Sequence, residues 1–156
     1  MPINKQPLFA GTIRLVNLTF DPPASENHYQ MNNSWSNNPQ QVYTATGGYG
    51  DIVDRITISA TGDVNYNPTV TAKLIYVYLY DNNGSTYSLY KTLAMPATTV
   101  SATTPNPELE LVFTGGLLLK KDDGIFIGAS TNQGNTGEKG DNISVTIEGG
   151  TYDQQT

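Results

Sequence analysis

Apolar and polar residues alternate with a period of two along most of the chain, and no stretch shows the repeat of an amphipathic helix. Because successive side chains of a strand point to opposite faces, this alternation predicts strands with one buried and one exposed face. Eight such strands are predicted, at residues 12–19, 41–46, 52–61, 69–80, 86–93, 108–113, 125–130 and 143–148.

Two-faced strands are typical of antiparallel sheets packed face to face, and eight is the strand count of a double-sheet jelly roll. We therefore predict an all-β fold, an antiparallel β-sandwich of jelly-roll type with about eight strands. A chain of 156 residues is long enough for one hydrophobic core. The predicted organisation is an N-terminal arm at residues 1–11 and a single β-sandwich domain at residues 12–156.

Charged residues make up 14% of the chain, below the roughly 25% of an average soluble domain. The formal net charge is −6 and the eight Lys and Arg residues are scattered, whereas nucleic-acid binding requires dense positive charge. No apolar run approaches the ~20 residues of a membrane span. The N-terminal residues also lack the apolar core and cleavage site of a secretory signal. We therefore expect no nucleic-acid partner and no membrane partner.

The residues that could carry catalysis or hold a metal ion do not form a recognisable site, and the chain contains no cysteine. The single histidine, His28, lies in a polar segment, and no motif that presents a nucleophilic serine occurs. Glu108 and Glu110 alternate with leucines, which predicts the solvent face of a strand rather than a catalytic pair in a cleft. The acidic turns at 120–124 and 137–142 each contain a lysine and lack the ligand spacing of a calcium loop. We predict no enzyme activity, no catalytic or metal-binding residue and no cofactor.

The densest aromatic region lies on the predicted strand 69–80 and on the strand that follows it. Three interpretations are open for these tyrosines: aromatic packing within the domain, a platform that stacks on sugars, and a subunit interface. Of the two functional interpretations the interface is favoured. Aromatic residues are enriched at protein contacts, and no cluster of carboxylate or amide side chains accompanies these tyrosines to bind sugar hydroxyls. The candidate interface residues are Tyr76, Tyr78, Tyr80, Tyr87, Tyr90 and Phe9.

Four segments of the chain resemble small all-β proteins encoded by tailed bacteriophages. They are DIVDRITISATG (51–62), KLIYVYLYDNNGSTYSLYKTLAMPATT (73–99), LLLKKDDGIFIGAST (117–131) and ISVTIEGGTYD (143–153). The shared features are a strand ending in a Tyr-Asp turn, a Pro-Ala-Thr crossover, a strand ending in Ala-Ser-Thr, and a closing Glu-Gly-Gly sequence before an aromatic residue and Asp. The resemblance covers roughly residues 51 to 153 and leaves the first fifty residues outside it.

This resemblance implies a virion component, since several accessory capsid proteins of tailed phages are jelly-roll trimers that sit on the capsid lattice. The predicted function is a structural virion protein, an accessory or decoration protein that stabilises the capsid or is displayed on the surface of the phage particle. The predicted partners are the chain itself, as a homotrimer, and the major capsid protein or other virion proteins. The alternative is a carbohydrate-binding or host-adhesion module with a glycan partner, for which Trp35, Tyr43 and Tyr49 are the candidate stacking residues.

Overall fold

The computed structural model of the chain describes residues 12–20, 39–61, 68–130 and 142–151. Within these residues the chain forms ten β-strands and no helix. The strands are β1 (Thr12–Phe20), β2 (Gln40–Thr44), β3 (Asp51–Thr61), β4 (Thr69–Val70), β5 (Lys73–Asp81), β6 (Thr86–Met95), β7 (Thr98–Thr99), β8 (Glu108–Leu119), β9 (Gly124–Ala129) and β10 (Asn142–Thr151).

The eight longer strands form two four-stranded antiparallel sheets. Sheet A has the strand order β1-β10-β3-β8, and sheet B has the order β2-β9-β5-β6. The two-residue strands β4 and β7 pair with each other. Each of the eight segments predicted from the alternation of apolar and polar residues overlaps one or more of these strands.

The pairing pattern identifies the sandwich as a jelly roll. An antiparallel ribbon of eight strands, folded at its middle turn, pairs the first strand with the last, the second with the seventh, and so on inward. The four pairs that this rule requires are β1 with β10, β2 with β9, β3 with β8, and β5 with β6, and all four are present. Wrapping the ribbon then brings β10 against β3 and β9 against β5. The predicted fold class is therefore confirmed.

The core lies between the two sheets and is built from the inward residues of each alternating strand. Sheet A contributes Ile56 and Ile58 of β3, and sheet B contributes Ile75 of β5 and Ile127 of β9, all fully buried. Burying a side chain of this size stabilises the fold by about 1.5–3 kcal/mol. The same inward positions continue along the strands, at Val53, Ala60, Val77, Ile125, Ala129, Ile143, Val145 and Ile147.

The two largest differences from the predicted strands lie at β4–β5 and at β8. The strand predicted at 69–80 is two strands, because Thr71 and Ala72 separate β4 from β5. Strand β8 extends to Leu119, six residues beyond its predicted end. It passes through Gly115, whose φ of 86° accommodates an irregularity in the pairing with β3 without ending the strand.

Candidate functional site

Strand β5 carries its tyrosines on the face of sheet B that points away from the core. The alternation predicts this arrangement, since Ile75 and Val77 lie in the core and the tyrosines occupy the positions between them. Tyr76 and Tyr78, however, are only 7% and 3% exposed. Both faces of β5 are therefore buried over these residues, so most of their surface is not open to solvent in the single chain.

An aromatic cluster lies beside these tyrosines and draws on three neighbouring strands. Tyr80 of β5 pairs with Tyr87 of β6, and their ring centroids are 4.6 Å apart. Phe126 of β9 meets both rings edge-on, with centroid distances of 5.9 Å to Tyr80 and 5.1 Å to Tyr87. Such aromatic pairs stabilise a fold by about 0.5–1.5 kcal/mol beyond the area they bury. Tyr80 and Tyr87 therefore pack against each other within the domain. Phe126 also belongs to this cluster, and sequence reasoning missed it.

Tyr90 occupies a different place from the other tyrosines. The pairing of β6 with β5 passes from Leu89 opposite Tyr78 to Lys91 opposite Val77, so Tyr90 is the extra residue of a β-bulge. Its ring packs against Phe113 of sheet A at a centroid distance of 5.7 Å, and the residue remains exposed. Leu89 next to it is also exposed. The edge strand β6 thus presents two neighbouring large side chains to solvent.

The hydroxyl group of Tyr78 is buried and has no hydrogen-bond partner among the residues that the structure describes. Burial raises the pKa of this hydroxyl above its ordinary value of 10.0, and the neighbouring Tyr76 raises the pKa further. A buried donor without a partner costs about 1–3 kcal/mol relative to the same group in water. Tyr78 is therefore held in place by the burial of its ring, not by its hydroxyl.

Replacing Tyr78 with phenylalanine is expected to raise the free energy of unfolding at neutral pH by about 1 kcal/mol, because it removes a donor that has no acceptor. The folded state favours the neutral hydroxyl of Tyr78. The stability linked to this neutral form is therefore fully present below pH 10 and is lost as the pH rises through the raised pKa. Tyr78→Phe should reduce this alkaline loss. Urea titrations at pH 7 and pH 11 measure both effects, with Tyr49→Phe at an exposed ring as the control at pH 7. A lower stability of Tyr78→Phe at pH 7 would contradict the expectation.

Of the three residues predicted for sugar stacking, the structure describes Tyr43 and Tyr49, and only Tyr49 is exposed. Tyr43 lies in the core, and its hydroxyl donates a hydrogen bond of 2.8 Å to Oδ2 of Asp51, so its ring is not presented to a ligand. The alternating pattern of β2 did not reveal this, because a tyrosine fits either face. Tyr49 is exposed in the turn between β2 and β3. Trp35, together with the interface candidate Phe9, lies outside the described residues.

The face of sheet A that points away from the core carries charged and apolar side chains together. Arg55 of β3 forms ion pairs with Glu110 of β8 at 3.0 Å and with Glu148 of β10 at 3.8 Å. All three side chains are about half exposed, so these pairs contribute little to stability. Glu108 and Glu110 are exposed on this strand face, as their alternation with leucines predicts.

Three large apolar residues are exposed on the two edge strands of the same sheet. Leu15 of β1 is 69% exposed, and Val112 and Leu118 of β8 are 58% and 66% exposed. We call the face that carries these residues and Arg55, Glu110 and Glu148 the sheet A outer surface. Sequence reasoning did not single out its apolar residues.

The acidic turn at 120–124 is held by hydrogen bonds. The carboxylate of Asp123 accepts one from the backbone N–H of Lys120 at 2.9 Å and one from that of Asn82 at 3.1 Å. It thereby joins this turn to the turn between β5 and β6. In the part of the chain that the structure describes, no group of three or more His, Cys, Asp or Glu residues is arranged to hold a metal ion. His28 and residues 137–141 of the second acidic turn lie outside that part.

A membrane-spanning helix is not found among the described residues. No protein-family model matches the chain, and a search of curated proteins finds no match. The resemblance of residues 51 to 153 to small all-β proteins of tailed bacteriophages therefore stays a prediction from the sequence.

Proposed function

We propose that the protein is a structural virion protein, an accessory or decoration protein of a tailed bacteriophage that assembles as a homotrimer on the particle surface. The observation that carries this proposal is that the jelly roll exposes large apolar side chains on strands of both sheets. Leu15 and Leu118 do so on sheet A, and Leu89 and Tyr90 do so on β6 of sheet B. A particle-bound protein needs such surfaces to bind its neighbours.

The low charge density of the chain supports the same role. Only 14% of the residues are charged, so a surface of this protein can be buried against another with few ions to desolvate. The resemblance to small all-β phage proteins indicates that the particle is a tailed phage. The jelly-roll fold agrees with the fold that this resemblance implies.

We assign the trimer contact to the exposed edge of sheet B, on the face that points away from the core and carries the tyrosines of β5. Tyr76 and Tyr78 are already buried in the single chain, so they would lie below the contact and would not touch the second subunit directly. Leu89 lies opposite Tyr78 and is exposed, and Tyr80 and Tyr87 are partly exposed beside it. A subunit packed on β6 would cover these residues and the adjacent Tyr90.

Light scattering on the purified protein is expected to give the mass of three chains or a multiple of three. Leu89→Lys should abolish the trimer, because it places a charge in the proposed contact, and it should reduce binding to capsids of the encoding phage. The matched control is Tyr49→Ser, a change at an exposed residue of the β2–β3 turn, which should alter neither readout. A wild-type protein that is monomeric and does not bind capsids would contradict the proposal.

A further inference from the structure

The sheet A outer surface carries an ordered row of four side chains, one from each strand. The pairing register aligns Leu15 of β1 with Glu148 of β10, Glu148 with Arg55 of β3, and Arg55 with Val112 of β8. The row therefore reads apolar, acidic, basic, apolar from one edge of the sheet to the other. With strands about 4.8 Å apart, it spans about 14 Å.

This order is complementary to itself. We propose that the sheet A outer surface binds the same surface of a second copy of this chain, around a two-fold axis that runs parallel to the strands between β10 and β3. The axis exchanges β1 with β8 and β10 with β3. Leu15 then faces Val112 of the second copy, and Glu148 faces Arg55 of the second copy. The two-fold axis repeats each of these contacts, so each occurs twice in the dimer. A contact of this kind uses one patch twice, as closed dimers do.

The neighbouring rows obey the same symmetry. On one side of the row of Arg55 and Val112, Gly150 pairs with Ile52, so the axis places the glycine of each copy over the isoleucine of the other. On the other side, Thr146 pairs with Thr57, and the axis places hydroxyl over hydroxyl. Because this axis lays each row over the same row of the second copy, the match depends on the order of residues within a row. The row of Thr146 and Thr57 ends in Glu110 on the edge strand β8, at the margin of the contact.

A two-fold axis perpendicular to the strands would not give this match. Drawn through the row of Arg55 and Val112, it would exchange the two ends of the sheet and place the exposed Leu118 near Glu110 of the second copy, and Ile52 near Thr57. Because burying a carboxylate against an apolar side chain is unfavourable, the axis parallel to the strands is the one selected.

The apolar contacts would drive association and the charges would set its register. Leu15 and Val112 each lose exposed area in the contact, and Leu118 lies one row away on the same edge strand. Ion pairs between copies add specificity more than affinity, since Arg55 already contacts Glu110 and Glu148 within its own chain. The matched surface measures about 20 Å by 20 Å, or about 800 Å² counted over both copies, which is the area of a weak and concentration-dependent contact.

This contact goes beyond the proposed virion role and does not use the β6 surface assigned to the trimer. If only the two-fold contact forms, the protein is a dimer. If both contacts form, trimers are joined to one another and the mass exceeds that of three chains. In both cases the mass depends on Leu15 and Val112.

The test uses two single variants of the full chain, Leu15→Lys and Val112→Glu, measured by sedimentation velocity over a range of concentrations. Both side chains are exposed, so circular dichroism and thermal unfolding should match the wild type. Each variant alone should weaken the two-fold association by roughly tenfold or more, because a charge faces an apolar residue at both symmetric places. An equimolar mixture should recover association. In the mixed pair, one place holds the lysine against the glutamate and the other keeps the original Leu15 and Val112.

Recovery in the mixture, together with weak association of each variant alone, would support the two-fold contact and its register. Wild-type protein that forms neither a dimer nor any species larger than a trimer at any concentration would overturn it, as would a mixture that associates no better than the single variants. Leu89→Lys is the matched control, since it introduces the same charge on the other sheet and leaves the two-fold contact intact. A trimer that responds to Leu89→Lys but not to Leu15→Lys would overturn this inference and leave the proposed function standing.

Discussion

Asp51→Ala is expected to lower the free energy of unfolding by about 3–5 kcal/mol, because it removes the acceptor of three hydrogen bonds in a fully buried position. Oδ2 of Asp51 accepts from the hydroxyl of Tyr43 at 2.8 Å and from the N–H of Thr46 at 3.1 Å. Oδ1 accepts from the N–H of Gly47 at 2.8 Å. Without the carboxylate, three donors lose this acceptor.

The position of Asp51 explains why the effect should reach beyond one turn. Strand β2 belongs to sheet B and β3 to sheet A, so the turn between them crosses from one sheet to the other. Asp51 begins β3 and accepts from Tyr43 near the end of β2 and from the intervening turn. Its carboxylate therefore fixes the corner at which the two sheets meet.

Urea denaturation of Asp51→Ala, Tyr43→Phe and the double variant tests this arrangement. Tyr43→Phe alone should cost about 1.5–3 kcal/mol, because its hydroxyl donates to a carboxylate. The double variant should lose less than the sum of the single losses, since Tyr43 and Asp51 share one hydrogen bond. Additive losses, or a loss below about 1 kcal/mol for Asp51→Ala, would contradict the role given to the carboxylate. Tyr78→Phe also removes a phenolic oxygen, but it is expected to raise the free energy of unfolding, because that hydroxyl has no partner.

The strands and the fold class could be predicted from the sequence because both depend on local alternation and on strand count. In β3, for example, Ile56 and Ile58 are buried and Arg55 points to solvent, as the pattern requires. Alternation assigns residues to the two faces of a strand, but it does not say whether the outer face is covered. Tyr76 and Tyr78 show the difference, since they lie on the predicted face and are nevertheless buried.

Asp51 was missed, although the sequence holds a signal for it. The residue is two positions before the buried Val53 and therefore on the inward face of β3. An acidic residue on an inward face must accept hydrogen bonds, and the Tyr and Gly residues nearby could supply the donors. The identity of those donors depends on the path of the turn, which alternation does not give.

The sheet A outer surface could not be predicted, because it depends on pairing between distant parts of the chain. Leu15 and Val112 are nearly one hundred positions apart, and they share a row only through the register of β1, β10, β3 and β8. Each residue alone is an ordinary exposed apolar side chain. Their joint arrangement around Arg55 and Glu148 is a property of the jelly-roll topology.

Gly50→Ala is expected to destabilise the protein by about 3–5 kcal/mol, because two unfavourable effects coincide at this position. Gly50 has a φ of 99°, which side-chain-bearing residues rarely adopt. A Cβ added there would also lie 2.1 Å from the backbone oxygen of Leu119. That oxygen belongs to the residue of β8 paired with Asp51, so it cannot move away without disturbing the same sheet corner.

Gly115→Ala separates the two effects. Gly115 has a φ of 86°, close to that of Gly50, but a Cβ added there would meet no atom within 4 Å. Its expected loss is therefore only the backbone strain, about 1–2 kcal/mol. Thermal and urea unfolding of the two variants, measured side by side, give the difference due to the clash with Leu119. Equal losses would mean that β8 shifts without cost, and the corner that Asp51 and Gly50 form would then be less rigid than its hydrogen bonds indicate.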